Sequence, residues 1–223
     1  MPVAIITGAS RGLGRALAKA LADAGWRLVV DARTMADTRI DGDIVALAGD
    51  VTDPEHRADL VAAADRIGGA DLLVNNAGIL GPSPQPTLAG YPLAVLREVY
   101  EVNVIAPLAL TQLALAGLVA RGGAVVNVTS DAAVEPYPGW GGYGSAKAAI
   151  EQVSRVLAAE EPAIRVWAVD PGDLRTRMHQ EAFPGEDISD RPLPETVAPA
   201  FVRLVADRPP SGRIRLADLG VPA

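Results

Sequence analysis

The chain has 223 residues, 49% of them hydrophobic, and its 20 basic and 27 acidic side chains give a net charge of −7. This composition excludes a disordered chain and leaves enough length for one sizeable core, so we expect a single domain over residues 1–223. An acidic surface repels phosphate backbones, which argues against nucleic acid as a partner, and the absence of cysteine excludes disulfides and thiolate chemistry.

The beginning of the chain has no features of a leader. Residues 1–7 lack a basic segment, and their apolar run is too short for a signal peptide, so we interpret them as a first strand and expect a cytoplasmic protein. Residues 104–120 carry no charge and approach the length of a membrane span, but they contain Pro107, Gln112 and Gly117. A buried core helix is therefore predicted here, and no membrane partner.

Short apolar runs typical of strands alternate with helical stretches along the chain. The predicted strands are 3–7, 28–32, 44–48, 71–75, 125–129, 164–169 and 214–216. The first predicted helix follows the turn at 8–14 and ends at Gly25. The second opens with a capping box at Thr52 and Glu55 and runs to about Ile67. Three more helices are predicted at 93–121, 143–160 and 195–206. A kink is predicted at Pro107, and loops are predicted at 79–92, 131–142 and 173–194.

Near-continuous apolar strands separated by helices predict an α/β fold. The sheet should be parallel and doubly wound, with helices on both faces in three layers, as in a Rossmann fold. Such sheets bind ligands beyond the carboxyl ends of their strands. Polar or glycine-rich segments follow five of the predicted strands, at 8–14, 50–51, 75–78, 130 and 171–172. The sequence therefore predicts one ligand site along this edge.

The segment at residues 7–14 reads TGASRGLG and lies between a predicted strand and a predicted helix. Glycines in this position permit a tight turn and let backbone amides approach a pyrophosphate at the helix N-terminus. The spacing is G-x-x-x-G-x-G, and an ordinary strand-to-helix turn is the alternative. The flanking strand and helix favour nucleotide binding.

Tyr143 and Lys147 stand four residues apart, which places both side chains on one face of a helix. A lysine ammonium beside a phenol favours the phenolate, whereas a free tyrosine is ionised only to about one part in a thousand at neutral pH. Ser130 could hold a carbonyl oxygen while Tyr143 gives or takes its proton. Because an isolated Tyr-x-x-x-Lys also occurs on solvated helix faces, the other motifs decide between the two interpretations.

In order and spacing, these motifs resemble the short-chain dehydrogenase/reductase family in its single-domain form, over nearly the whole chain. The residues that carry the resemblance are Thr7, Gly8, Gly12, Gly14, Asn75, Asn76, Ala77, Gly78, Asn103, Ser130, Tyr143, Lys147, Pro171, Gly172 and Thr176. The resemblance implies an NAD(P)-dependent oxidoreductase that interconverts a ketone or aldehyde and an alcohol by hydride transfer. It also implies a homodimer or homotetramer.

The resemblance assigns roles to single residues. It implies that Tyr143 is the acid/base, that Lys147 lowers the pKa of Tyr143 and binds the nicotinamide ribose, and that Ser130 orients the substrate oxygen. Asn103 would lie at a disturbed turn of the long helix and help a water connect Lys147 to solvent, with a structural hydrogen bond as the alternative. Cofactor contacts are implied for Gly8, Ser10, Arg11, Gly12, Leu13, Gly14, Arg33, Asp50, Val51, Asn76, Ala77, Gly78, Tyr143, Lys147, Pro171, Gly172 and Thr176.

The end of the second predicted strand bears on the choice of cofactor. An acidic residue there binds the ribose hydroxyls of NAD, whereas an arginine accommodates the 2′-phosphate of NADP. In the resembled family the acid immediately precedes the arginine's place, where this chain has Ala32, and Asp31 would point away because strand residues alternate faces. Arg33, with Arg11 as a second cation, therefore predicts NADP(H) over NAD(H), although solvated surface charges are the alternative for both arginines.

The predicted loops at 79–92, 131–142 and 173–194 should wall the substrate pocket. Their apolar and aromatic side chains would suit a hydrophobic or aromatic ketone or aldehyde, and they include Tyr137, Trp140, Met178 and Phe183. Asp131 and Glu135 would disfavour an anionic substrate. The segment after Gly172 is short, which predicts a small lid and an open pocket.

Two other functions were weighed against a reductase or dehydrogenase. A non-catalytic dinucleotide sensor has no need for Ser130, Tyr143 and Lys147 together, and an epimerase or dehydratase with bound NAD usually carries a larger substrate domain.

His56 is expected on a helix surface and His179 in a loop, and their positions suggest no metal site.

Overall fold

Seven parallel strands form one sheet in the order β3-β2-β1-β4-β5-β6-β7. In this computed structural model, which describes residues 1–34 and 41–220, the strands are β1 (Val3–Ile6), β2 (Arg27–Ala32), β3 (Ile44–Ala48), β4 (Leu72–Asn75), β5 (Ala124–Val128), β6 (Arg165–Asp170) and β7 (Gly212–Arg215). The helices are α1 (Gly12–Asp23), α2 (Pro54–Arg66), α3 (Leu93–Tyr100), α4 (Ala106–Arg121), α5 (Gly141–Glu160), α6 (Arg177–Ala182) and α7 (Ala198–Asp207).

Helices cover both faces of this sheet, because each strand directs alternate side chains to opposite faces. On one face, α1 and α7 bury Leu17 and Phe201 in a cluster with Ile6. On the other face, α2 and α4 bury Leu60 and Leu110 in a cluster with Ile5. The predicted doubly wound, three-layer α/β fold is confirmed by this topology.

The long helix predicted over residues 93–121 is present, but its interruption differs from the predicted kink at Pro107. A π-helical turn at Glu101–Ile105 separates α3 from α4, and Pro107 lies in the first turn of α4. Proline has no amide hydrogen for the usual helical bond, and the wider π turn accommodates that loss just before it. This helix is long and apolar enough to cross a membrane, yet its Leu110 and Leu118 lie in the core.

Three other local predictions are corrected by the structure. The N-cap of α2 is Asp53, whose Oδ1 accepts a hydrogen bond from the Glu55 amide at 2.9 Å, so the predicted cap at Thr52 is wrong. Helix α5 begins at Gly141, earlier than the predicted start at Tyr143. The segment 173–194 was predicted to be irregular, but it contains α6, which is capped by Thr176.

Candidate active site

The glycine-rich turn after β1 is held in a tight conformation by its neighbours. Gly8 has a positive φ of 70°, which favours glycine, and its amide donates to Asp31 Oδ1 at 2.7 Å. A Cβ on Gly14 would overlap the carbonyl oxygen of Gly8 and the side-chain amide of Asn76. Two residues of the turn therefore need to be glycine. Gly14 has no room for a side chain, and Gly8 adopts a backbone conformation that favours glycine.

The segment after β4 is bonded directly to the end of β1. Thr7 Oγ1 accepts hydrogen bonds from the amides of Asn76 and Ala77, both at 3.0 Å. In return, Asn76 Nδ2 donates to the Thr7 carbonyl at 2.8 Å. These bonds brace the segment after β4 against the end of β1, so the predicted ligand segments at 8–14 and 75–78 lie side by side.

The N-terminus of α1 provides a site for an anion. Its N-cap, Arg11, is in extended conformation and makes no side-chain cap, and the first turn carries no acidic residue. Unpartnered amides at a helix N-terminus attract negative charge. Thr176 lies opposite, because a Cβ on Gly12 would be 3.6 Å from its Cγ2. These residues fit the pyrophosphate of a dinucleotide between the glycine turn and the segment after β6.

Asp31 is buried in the protein, whereas the sequence had predicted only that it points away from the ribose. It is 1% exposed, and besides the Gly8 amide it contacts His56 Nε2 through Oδ2 at 3.0 Å. Burial raises the pKa of Asp31, while the bond from Gly8 opposes that rise. The expectation that His56 lies on a helix surface is wrong, because its imidazole is buried against Asp31 and Gly49.

Two exposed side chains of opposite charge, Arg33 and Asp50, follow the ends of β2 and β3. Asp50 Oδ1 accepts hydrogen bonds from the amide and the hydroxyl of Thr52, at 2.9 and 2.8 Å. Those bonds lower the pKa of Asp50, and the charge of Arg33 adds to the lowering. Asp50 therefore forms a turn with Thr52, and Arg33 lies within electrostatic range of its carboxylate.

Ser130 follows β5 and caps a short 3₁₀ turn at Asp131–Ala133. Its hydroxyl donates to Asp131 Oδ1 at 2.8 Å and accepts from the Ala132 amide at 3.2 Å. Asp131 Oδ2 accepts in turn from the Tyr137 hydroxyl at 3.0 Å. The hydroxyl of Ser130 is thus held in place by the carboxylate of Asp131. The sequence had indicated only that Asp131 would disfavour an anionic substrate.

Tyr143 and Lys147 lie in the first turns of α5, both buried, at 8% and 5% exposure. Lys147 Nζ donates to the Val128 carbonyl at 2.8 Å and lies 5.4 Å from the centre of the Tyr143 ring. Within residues 1–34 and 41–220, the Tyr143 hydroxyl has no hydrogen-bond partner. The predicted pair is therefore brought together on one face of α5, next to the end of β5.

The ionisation of this pair differs from the sequence prediction. Burial raises the pKa of Tyr143, and the charges of Asp131 and Asp170 add to the rise, so the expected lowering by Lys147 is wrong for the ligand-free protein. Burial lowers the pKa of Lys147 to about 8. The low-dielectric surroundings penalise the charged form of each group.

Asn103 lies in the middle of the π-helical turn, so the predicted disturbed turn is confirmed. Its Oδ1 accepts from the Ile79 amide at 3.1 Å and its Nδ2 donates to the Ile79 carbonyl at 2.8 Å. A Cβ on Gly78 would lie 2.7 Å from Asn103 Oδ1 and 3.8 Å from Lys147 Nζ. Asn103 therefore ties the loop after β4 to the long helix, immediately beside Lys147.

Aromatic side chains form one wall beside Tyr143. The Trp140 ring centre lies 6.0 Å from that of Tyr143 and 5.8 Å from that of Phe183. Met178 of α6 packs into the same cluster, and His179 lies with its ring centre 4.9 Å from Phe183. The segment 173–194 thus packs over Tyr143, so the pocket is less open than its short length predicted.

One charged residue near the site was missed in the sequence. Arg213 on β7 donates to Glu151 Oε1 at 2.9 Å, to Asp170 Oδ2 at 2.8 Å and to the Ser130 carbonyl at 3.3 Å. Glu151 lies on α5 and also accepts from the Thr129 hydroxyl at 2.8 Å. Arg213 therefore links the ends of β5 and β6 to the helix that carries Tyr143, and no local motif marks it.

Fold and site together define a dinucleotide-binding α/β protein with a serine, a tyrosine and a lysine at the carboxyl edge of its sheet. Comparison with known proteins assigns it further: the sequence model for short chain dehydrogenases matches residues 2–187. The chain belongs to the short-chain dehydrogenase/reductase family, whose members are NAD(P)-dependent oxidoreductases.

Named relatives agree with this assignment. The chain is 35% identical over 219 residues to L-xylulose reductase from Bos taurus, covering 94% of this chain and 82% of that protein. It is 35% identical over 201 residues to sepiapterin reductase from Mus musculus, covering 81% and 77%. An alcohol dehydrogenase from the archaeon Thermococcus sibiricus, solved in complex with 5-hydroxy-NADP, aligns with a TM-score of 0.84 at 28% identity, covering 100% of this chain and 99% of that one.

Proposed function

We propose that this protein is an NADP(H)-dependent carbonyl reductase or alcohol dehydrogenase. The observation that carries the proposal is the burial of Tyr143 and Lys147 on one face of α5, beside Ser130 at the end of β5. A solvated helix face, the alternative interpretation of the Tyr-x-x-x-Lys pattern, has no reason to bury both side chains. The named relatives, which are reductases and an alcohol dehydrogenase, support the same class of reaction.

The residues around the glycine turn would hold the cofactor. The amides at the N-terminus of α1 would bind the pyrophosphate, and the segments containing Asn76–Gly78 and Pro171–Thr176 would border the adenosine and nicotinamide ends. Lys147 would bond the nicotinamide ribose. When bound, the nicotinamide supplies or accepts the hydride.

Three side chains would handle the substrate oxygen. Ser130 donates a hydrogen bond that orients this oxygen, and Tyr143 gives it a proton in the direction of reduction. Because burial raises the pKa of Tyr143, the phenol stays protonated and ready to donate. The phenolate that remains is unfavourable in this buried site, and Lys147 is the cation beside it. Lys147 therefore acts by stabilising the product of proton donation.

The preference for NADP(H) rests on Arg33, Arg11 and Ala32. Asp31, the only acid in β2, is buried against Gly8 and His56, so it leaves the ribose end without a carboxylate from that strand. Arg33 and Arg11 are both exposed. A 2′-phosphate would gain charge-assisted hydrogen bonds from such guanidinium groups.

A kinetic comparison of the two cofactors tests the proposal. With a panel of ketones, we expect kcat/KM to favour NADPH over NADH by about tenfold or more, and Arg33→Ala to remove most of that ratio, because a charge-assisted bond is lost. Arg15→Ala is the matched control, since Arg15 is exposed on α1 and should leave the ratio unchanged. Equal use of both cofactors would refute the preference, and NADPH binding without turnover of any ketone would favour the sensor.

The pH profile of ketone reduction provides a second prediction. Since the pKa of Lys147 is lowered to about 8, kcat/KM should fall as the pH rises through this value, because the ammonium that stabilises the phenolate is lost. Below that pH the ammonium is present and Tyr143 is protonated, so activity should be level. Measured at saturating NADPH, Lys147→Arg should move the alkaline limb upward even if the rate falls. A profile of the native protein that stays level well above this pKa would contradict the role.

We further propose a cytoplasmic homo-oligomer of a single-domain chain. Three large apolar side chains are exposed on neighbouring helices, with Ile105 at 47%, Leu113 at 48% and Val156 at 43%. An exposed apolar surface of this kind is typical of an interface between subunits. The small-molecule substrate would bind at a different place in the fold, the carboxyl edge of the sheet.

A further inference from the structure

Asp131 adjoins Ser130 in the chain, and its carboxylate accepts three hydrogen bonds from residues that the structure describes. Oδ1 accepts from the Ser130 hydroxyl and from the Ala132 amide, both at 2.8 Å. Oδ2 accepts from the Tyr137 hydroxyl at 3.0 Å. The carboxylate is half-buried, so the loss of a donor is not freely replaced by bulk water.

A count of protons shows that Ser130 cannot serve both partners. A serine hydroxyl has one proton to donate, and in the free protein that proton is on the bond to Asp131. When Ser130 donates to a carbonyl oxygen of the substrate instead, Oδ1 of Asp131 loses that donor and keeps only the Ala132 amide. A partly buried carboxylate oxygen that loses a donor weakens binding unless the substrate supplies another.

The structure has room for such a donor beside the carboxylate of Asp131. A cavity of ≈ 190 Å³ adjoins the carboxylate and is lined by Asp131, Asp170, Gly172, Asp173, Arg215 and Ala217. Asp131 Oδ1 is 2.8 Å from Ser130 Oγ, so an oxygen bonded to Ser130 brings substituents of the adjacent carbon within reach of Oδ1. Three of the lining residues are acidic and one is basic, which favours a neutral or cationic group here.

We propose that the substrate carries a hydrogen-bond donor, a hydroxyl or an ammonium, on the carbon next to its carbonyl group, and that Asp131 accepts this donor when Ser130 turns to the carbonyl oxygen. The inference rests on the proposed function and makes it narrower. It assigns to Asp131 the recognition of α-hydroxy or α-amino ketones. The aromatic side chains of Trp140 and Phe183 would accommodate an aryl group on the other side of the carbonyl.

Four aryl ketones of similar shape test the proposal in the native enzyme with saturating NADPH. 2-Hydroxyacetophenone and 2-aminoacetophenone carry the donor, propiophenone replaces the hydroxyl with a methyl group, and 2-methoxyacetophenone keeps the electron-withdrawing oxygen but has no donor. We expect kcat/KM for the hydroxy ketone to exceed that for the methoxy ketone by about ten- to a hundredfold, as for a bond to a charged group. The faster of the two donor compounds identifies the source of the donor.

Two variants in the same cavity assign the preference to one carboxylate. Asp131→Asn keeps the size of the side chain but removes its charge, and the ratio of hydroxy to methoxy ketone should fall to within about threefold. Asp173→Asn makes the same charge change in a residue that lines the cavity without bonding Ser130, and it should retain the native ratio.

The outcomes separate this inference from the proposed function. Turnover of all four ketones at similar kcat/KM by the native enzyme overturns the inference and leaves the reductase in place, and this result needs no variant to fold. A high native ratio that persists in Asp131→Asn, or that is lost equally in Asp173→Asn, also overturns it. If no ketone is reduced with either cofactor, the proposed function fails and the inference fails with it.

Discussion

Replacing Tyr143 with phenylalanine is expected to lower kcat for ketone reduction by about two to four orders of magnitude, the usual contribution of a positioned general acid. The affinity for NADPH should be largely kept, because the cradle of the glycine turn is untouched. The phenol makes no hydrogen bond within the described residues, so removal of its oxygen leaves no group unpaired and the fold should be unaffected. Steady-state kinetics and NADPH titration by fluorescence measure the two effects separately.

Tyr91 supplies the matched control for this prediction. Its hydroxyl is buried near Gly81 and Gly142 and has no hydrogen-bond partner among the residues that the structure describes. Tyr91→Phe removes the same atom from the same residue type and should leave kcat near the native value. Turnover of Tyr143→Phe at a rate close to that of Tyr91→Phe would exclude Tyr143 as the proton donor.

Much of the fold could be predicted because its signals are local. The strands β1, β3 and β4 are short apolar runs bounded by glycine, proline or polar residues, and their predicted limits lie within one or two residues of those observed. Helix α6 was missed because its six residues are too few for an apolar period. Pro107 alone could not place the π turn on Glu101–Ile105, since a proline indicates that a helix is disturbed nearby but not which earlier residues absorb the strain. Only the family resemblance placed a disturbed turn at Asn103.

In the candidate site, too, the features defined by local sequence could be predicted and the contacts between distant segments could not. The glycine turn, Ser130 and the Tyr143–Lys147 pair are defined by spacing along the chain, and the structure brings them to one edge of the sheet. Contacts between distant segments were not visible: His56 reaches Asp31 from another element, and Arg213 reaches Ser130 from the last strand. The direction of the shift in the pKa of Tyr143 also depended on burial, which has no signature in the sequence.

Arg213→Met is expected to lower the free energy of unfolding by about 3–5 kcal/mol, because it removes the cation between two buried carboxylates. Asp170 then loses its arginine partner, and Glu151 keeps only the more distant Arg155. Glu151 and Asp170 have side-chain exposures of only 3% and 6%, and Arg213 bonds both. In a chain of this size the melting temperature should fall by roughly 10 °C. Since Arg213 also bonds the Ser130 carbonyl, kcat/KM for ketones should fall in the folded variant, while NADPH affinity changes less.

Arg155 and a double variant test whether uncompensated charge causes this loss. Arg155 also contacts Glu151, at 3.4 Å, but its side chain is 56% exposed, so Arg155→Met should cost less than about 1 kcal/mol. Adding Glu151→Gln to Arg213→Met removes one of the unpaired charges and should recover part of the lost stability. If the double variant is no more stable than Arg213→Met, or if Arg155→Met is equally destabilised, lost packing rather than charge would explain the effect. In that case, Arg213 would not be the residue that holds β5, β6 and α5 in register around Ser130.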